Sequence, residues 1–342
     1  MSHSSVLLQM ENLSVTYFGP PDVVAVHGVT LDVKRGEILG LAGESGCGKT
    51  TLIGALTRLL PDNGEVTHGR IEFDGVDWLG LNEREVDQWR WTRVSLVSQS
   101  AMNSLNPVIS IGEQITDAIF AHEPRTPKAD GWDRARSLLR MVEVDPSHVH
   151  SYAHELSGGM RQRAMIAMAL ALKPDLVIMD EPTTALDVVV QAQIIHEIRS
   201  LQERLRFSVI FVTHDMSLLL SIADRIAIMY AGEVVEVGTR SILNHEASHP
   251  YTRGLIQSFP SVFHQRTRAG IPGAPPSMVN PPSGCRFHGR CEERMAVCSV
   301  YAPEDRDLDG IGHRVRCHLF GDSGITDRQP LAGRGEGSGK SC

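Results

Sequence analysis

No run in this 342-residue chain approaches the ~18 uncharged apolar residues that a membrane-spanning helix needs. Its most apolar stretches, residues 164–172 and 218–230, are short or broken by Asp224 and Arg225, so the chain is not expected to cross a bilayer. The first ten residues lack a basic segment followed by an apolar one, so no secretory leader is expected and a cytoplasmic location follows. In a reducing cytosol, six cysteines argue against a disulfide framework. Basic residues are outnumbered 33 to 41, for a net charge of −8. That balance disfavours a nucleic-acid clamp, which draws on clustered Lys and Arg.

The length exceeds one typical domain, and 42% hydrophobic content is ample for a core. A large domain with an appendage is the natural division. Gly43-Glu44-Ser45-Gly46-Cys47-Gly48-Lys49-Thr50 fits the phosphate-cradling pattern G-x-x-x-x-G-K-[ST]. Residues 38–42 before it read as a strand, and Thr51 onward reads as a helix whose positive N-terminal end faces the phosphates. The glycines let backbone N–H groups point inward at the β-phosphate. Lys49 reaches the β and γ oxygens, and Thr50 offers its hydroxyl to Mg²⁺.

Downstream, in order, come Leu156-Ser157-Gly158-Gly159-Met160-Arg161-Gln162-Arg163, Leu176-Val177-Ile178-Met179-Asp180-Glu181, Thr184-Ala185-Leu186-Asp187 and Val212-Thr213-His214-Asp215. Across residues 6–240 this series resembles the ATP-binding-cassette (ABC) ATPases. The resemblance implies an α/β fold: a RecA-like core, an antiparallel β-subdomain and a helical subdomain at about 101–160. It also implies the division of labour at the site. Asp180, Thr50 and Gln99 would hold Mg²⁺, Glu181 would orient or deprotonate the attacking water, and His214 would touch the γ-phosphate. Ser157, Gly158 and Gly159 would bind the γ-phosphate of ATP on another subunit's phosphate loop, with Asp187 close by. Tyr17 would stack on adenine, or be an ordinary strand aromatic. Taken alone, paired acids after a strand are also a helix N-cap, and a serine before two glycines is also a cap.

From about residue 241 proline becomes dense, which argues against regular elements. Gly- and Ser-rich residues 321–342 are expected to be disordered. Asn103-Ser104-Leu105-Asn106-Pro107, His249-Pro250-Tyr251-Thr252 and Asn280-Pro281-Pro282-Ser283-Gly284-Cys285-Arg286-Phe287-His288 narrow the resemblance to ATPase subunits of oligopeptide/dipeptide importers, with residues 241–320 as a C-terminal extension. The resemblance implies a second ATPase subunit (a heterodimer with a paralogue), two integral-membrane permeases, an extracytoplasmic binding protein reached indirectly, and a peripheral place on the cytoplasmic face of the membrane. Cargo of nickel, glutathione-like peptides or oligosaccharides is an alternative within the same machine, and a soluble ATPase acting on ribosomes or DNA is a rival.

Cys285, Cys291, Cys298 and Cys317 are spaced x₅, x₆ and x₁₈, without the close pair that zinc ribbons favour. Four thiolates can hold Zn²⁺ or a [4Fe–4S] cluster, and the resemblance implies a cluster in some members. Four reduced, buried thiols are the plain alternative. These cysteines lie outside the hydrolytic motifs, so a structural role with only an indirect effect on ATP cleavage is expected.

Overall fold

The structure is a computed structural model that describes residues 6–98, 104–184, 186–258 and 270–321. Five strands rich in Val, Ile and Leu form its centre: β3 (Ile38–Ala42), β6 (Val94–Val97), β7 (Leu176–Asp180), β8 (Ser208–Val212) and β9 (Arg225–Tyr230). They pair in parallel in the order β9-β3-β8-β7-β6. Continuous apolar runs suit strands covered on both faces. Alternate residues therefore feed two cores: Leu39, Ile178, Ile210 and Val212 on one face, Ile38, Met179, Val209 and Phe211 on the other.

The first core is closed by an antiparallel sheet, order β2-β1-β4-β5, built from β1 (Val6–Tyr17), β2 (Val23–Lys34), β4 (Gly64–Phe73) and β5 (Val76–Asp77). Helix α1 (Lys49–Thr57) packs between the sheets through Leu52, Ile53 and Leu56. The second core takes in the helical insertion. There, α3 (Ile111–His122) and α4 (Lys128–Met141) follow α2 (Glu83–Trp89) and lie within the helical subdomain expected at about 101–160. Ser110 and Glu113 form a reciprocal cap that fixes the start of α3.

The C-terminal region departs from expectation in a specific way. Proline density does exclude regular elements over residues 272–282, but α8 (Arg240–Glu246) and α9 (Pro250–Ser258) precede that stretch. Pro250 opens α9, where proline's missing N–H and fixed φ do no harm. Beyond it, β11 (Asp305–Asp307) and β12 (Arg314–Arg316) form a hairpin that pairs β12 with β10 (Glu233–Thr239), itself antiparallel to β9. The extension thus completes an eight-stranded sheet. Buried Glu236 ties the parts together, accepting from the N–H groups of Ser248 and His249 and meeting His313 Nε2 at 2.9 Å. The tail expected to be disordered falls, from residue 322, outside the described residues.

Candidate nucleotide site

β3 delivers the chain into the loop 43–50 at the end of the parallel strands, the edge at which such sheets place ligands. Two glycines there hold a positive-φ backbone that L side chains rarely adopt. Gly46 (φ 76°) has open space where a Cβ would stand, so the loop presents bare backbone on that side. Gly48 (φ 104°) is the left-handed residue from which α1 starts, and a Cβ would strike the Ala25 carbonyl. Lys49 is buried and its Nζ donates to the carbonyls of Gly43 (2.8 Å) and Glu44 (3.0 Å), lying 3.7 Å from Cys47 Sγ. Thr50 is exposed. Thr51 Oγ1 meets the Tyr17 hydroxyl at 3.1 Å, which puts the tyrosine beside the helix that follows the loop.

Asp180 ends β7, the second strand over from β3, and Glu181 follows with φ 47°, a conformation that β-carbon sterics disfavour and that recurs at functional sites. Burial, and then the neighbouring Glu181 charge, push the Asp180 carboxyl up to about 6 against the pull of Lys49. A divalent cation would relieve that repulsion, so buried Asp180 with the exposed Thr50 hydroxyl fits a Mg²⁺ site. Glu181 goes the other way. Burial opposes its charge, but hydrogen bonds from His214 and Thr184 outweigh it and hold the carboxyl below its ordinary range. His214 Nδ1 lies 3.1 Å from Oε1, and Thr184 Oγ1 donates to Oε2 at 3.0 Å. The Glu181 backbone N–H is fixed on the Val212 carbonyl at 2.8 Å. Two adjacent acids therefore have opposite proton affinities: Glu181 is kept ionised, while Asp180 takes up a proton more readily unless a cation is near.

Ser157 caps α5 (Gly158–Ala169), its Oγ accepting from Met160 N–H at 3.3 Å. Asp187 caps α6 (Val188–Leu205) through the N–H groups of Val189 and Val190. Among the described residues, no hydrogen bond joins Ser157, Gly158 or Gly159 to the loop of the same chain. Gln99 and Asn103 lie outside the described residues.

The site has a wall that the motifs did not announce. The Glu44 backbone N–H donates to the Tyr251 hydroxyl at 3.0 Å, and the Glu44 carboxylate takes a two-pronged grip from Arg290 Nη1 (2.7 Å) and Nη2 (3.0 Å). Arg286 donates to the Ala231 carbonyl in a turn whose next residue, Gly232, gives its N–H to the Cys47 carbonyl at 2.9 Å. The cysteine-bearing extension therefore touches the phosphate loop directly, through Tyr251 and Arg290, while its cysteines stay outside the hydrolytic motifs. The only trace in the sequence was the tyrosine of His249-Pro250-Tyr251-Thr252, legible as a signature but not as a contact.

Cys285, Cys291, Cys298 and Cys317 are buried in that extension. Burial, with the neighbouring thiols adding to it, pushes Cys285 and Cys317 up to about 12, and burial pushes Cys291 to about 11. Cys285 N–H donates to the Cys298 carbonyl at 2.8 Å. The four thiols are thus gathered in one neighbourhood, yet among the described residues no three His, Cys, Asp or Glu side chains stand in the geometry of a bound metal ion. Among the described residues, too, no helix is long and apolar enough to cross a membrane.

The sequence profile of the ABC transporter family matches residues 26–184, and that of the oligopeptide/dipeptide transporter C-terminal region matches residues 235–298. The dipeptide transport ATP-binding protein DppD of Caldanaerobacter subterraneus subsp. tengcongensis is 41% identical over 319 residues, covering 92% of this chain and 98% of that one. The oligopeptide transport ATP-binding protein OppD of Bacillus subtilis is 41% identical, covering 85% of this chain and 83% of that one. Among solved structures, the post-hydrolysis dimer of the ATP-binding cassette MJ0796 bound to ADP and phosphate superposes with a TM-score of 0.62 at 28% identity, covering 68% of this chain and 99% of that one. With relatives at this identity spanning nearly its whole length, and with the phosphate loop, the Asp180–Glu181 pair and the cysteine-bearing extension in one architecture, the chain belongs to the ATP-binding subunits of the oligopeptide/dipeptide ABC transporter family.

Proposed function

We propose that this protein hydrolyses ATP to drive import of peptides, working as a peripheral subunit on the cytoplasmic face of the membrane. The observation that carries this reading is Glu181, held ionised by His214 and Thr184 beside a buried Asp180, at the sheet edge that carries the phosphate loop.

The steps belong to named groups. Backbone N–H groups of residues 44–50 bind phosphate oxygens in the space that Gly46 leaves open. Lys49 exchanges its carbonyl partners for β and γ oxygens. Glu181 accepts a proton from the attacking water, and His214, tethered to it, reaches the γ-phosphate. Thr50, Asp180 and Gln99 would hold Mg²⁺, which would supply positive charge against the developing phosphate charge. The capped, exposed start of α5 at Ser157 suits a γ-phosphate presented by another subunit, since a helix N-terminus binds anions. A chain with one phosphate loop and one such helix end needs a second ATPase, here read as a paralogue. Residues 1–240 are read as the ATPase domain and 241–320 as the extension. Gln99 and the helical insertion are read as the link to two permease subunits, with the extracytoplasmic binding protein met only through them and no role for nucleic acid.

The four gathered thiols are read as ligands of a [4Fe–4S] cluster, with one zinc ion as the alternative, since their spacing lacks the close pair that zinc ribbons favour. Thiols pushed to about 11 or 12 ionise in that apolar setting only with a compensating cation nearby.

Reconstitution tests the whole reading. The chain, its paralogue and the two permeases in vesicles are expected to take up peptide supplied with the binding protein, and only with Mg-ATP. Recovery of the chain with nucleic acid and without permeases, or ATP-driven uptake that ignores peptides, would overturn it.

A further inference from the structure

Besides the Tyr251 hydroxyl on the Glu44 N–H, two arginines of the C-terminal extension support loop 43–50 from outside. The first is the Arg290 fork on Glu44, whose side chains are only 8% and 25% exposed. Arg290 is itself fully engaged. Its Nε donates to the Pro272 carbonyl at 2.7 Å, its Nη2 reaches the Ile271 carbonyl at 3.4 Å, and its Nη1 the Tyr230 hydroxyl at 3.3 Å. It lies 5.8 Å over the Tyr230 ring, which packs with Tyr251 and Phe287 at ring-centre distances of 4.6 to 5.4 Å. The second is Arg286, which donates to the Ala231 carbonyl and pairs with buried Glu233 at 3.2 Å. The turn it holds bonds Cys47 of the loop through Gly232. Both arginines lie in the segment 285–291 that also carries Cys285 and Cys291.

We propose that Arg290 is a positioning residue of the nucleotide site, holding the phosphate loop in its binding shape through the Glu44 carboxylate so that the cysteine-bearing extension sets nucleotide affinity. A two-pronged, charge-assisted grip fixes direction as well as distance. Glu44 lies at the start of the loop, where it leaves β3, so a pull on its side chain moves the N–H groups that follow. The effect falls on binding and not on proton transfer, because Glu181 and His214 follow the other strands β7 and β8 and are not part of the loop that Arg290 holds. The inference rests on the nucleotide reading of loop 43–50.

The test compares Arg290→Gln, Glu44→Gln and the double variant by titration with a fluorescent ATP analogue, steady-state ATPase kinetics and thermal melting. Each single variant should weaken nucleotide binding about tenfold, the loss of one charge-assisted pair. KM should rise with kcat at saturating ATP held within about twofold, the signature of lost uniform binding. The double variant should bind no more weakly than either single one, since both remove the same contact. Unchanged affinity in Arg290→Gln, or losses that multiply in the double variant, would overturn the proposal. Should Arg290→Gln fail to fold, Glu44→Gln leaves every residue of the extension in place and must show the same loss; normal affinity there also overturns it. Arg290→Lys, which keeps the charge without the fork, should recover only part of the affinity, whereas full recovery rules out positioning by geometry. A wild-type protein that fails to bind ATP at all would instead sink the nucleotide reading.

Discussion

At the scale of single residues, proton affinity separates roles that chemical type leaves equal. Asp180 and Glu181 are adjacent carboxylates, yet one is pushed up to about 6 and the other held low. Glu181→Gln keeps size and hydrogen bonding but removes the base, so ATP binding should survive while steady-state hydrolysis falls by about 10²–10³; phosphate release against nucleotide binding checks this. His249 offers a pH test. Its Nδ1 accepts from Tyr251 N–H at 3.0 Å, so its proton sits on Nε2, which is buried without a partner among the described residues. Burial, with Arg253 adding to it, holds the ring down to about 3. Below about pH 6.5 the unfolded chain takes up a proton that the folded chain refuses, so stability should fall with pH by up to ~1.4 kcal/mol per unit. Urea unfolding between pH 7 and 5 should show that slope, and His249→Gln should flatten it. The loop and both acids were legible because their order is tied to strand ends. Arg290 was not, since its partner stands 246 residues away and nothing local marks the pair.

At the scale of elements, the strands and helices around the nucleotide were readable from period and caps, and the C-terminal ones were not. Ser157 and Asp187 begin helices whose N-terminal signals are explicit. The three-residue strands β11 and β12 carry no pattern long enough to read, and they exist because β10 offers them an edge. The placement of α5 yields a further prediction. Ser157→Arg should leave binding to its own phosphate loop intact while blocking hydrolysis at a partner's site. Mixed with Lys49→Ala in a homodimer, it should restore one working site. Inactive mixed dimers would refute the assignment in trans, and a chain that does not self-associate would direct the same test to its paralogue.

At the scale of the whole molecule, the extension is part of the sheet and part of the site wall, not an appendage on a linker. Its cysteines can be tested as a set. Protein prepared without oxygen should carry about four irons per chain and absorb broadly in the visible if Cys285, Cys291, Cys298 and Cys317 hold one cluster. Serine at any one of them should lower the iron content. Stoichiometric zinc without iron, or neither metal, would remove the cluster. Because Cys285 and Cys291 flank Arg286 and Arg290, such variants should also weaken nucleotide binding, which melting and titration on one sample can separate from a loss of folding.

The grip of Arg290 on Glu44 also sets an order in time. The phosphate loop emerges from the ribosome early, but its support is made 246 residues later. At about 5–20 residues per second the two are separated by roughly 12–50 seconds of synthesis. Through that interval a nascent cassette already has its lysine and glycines but lacks the arginine that fixes them. A chain cut short before residue 290 would carry the complete motif and bind nucleotide poorly, so tight ATP binding would certify that translation had run past Arg290.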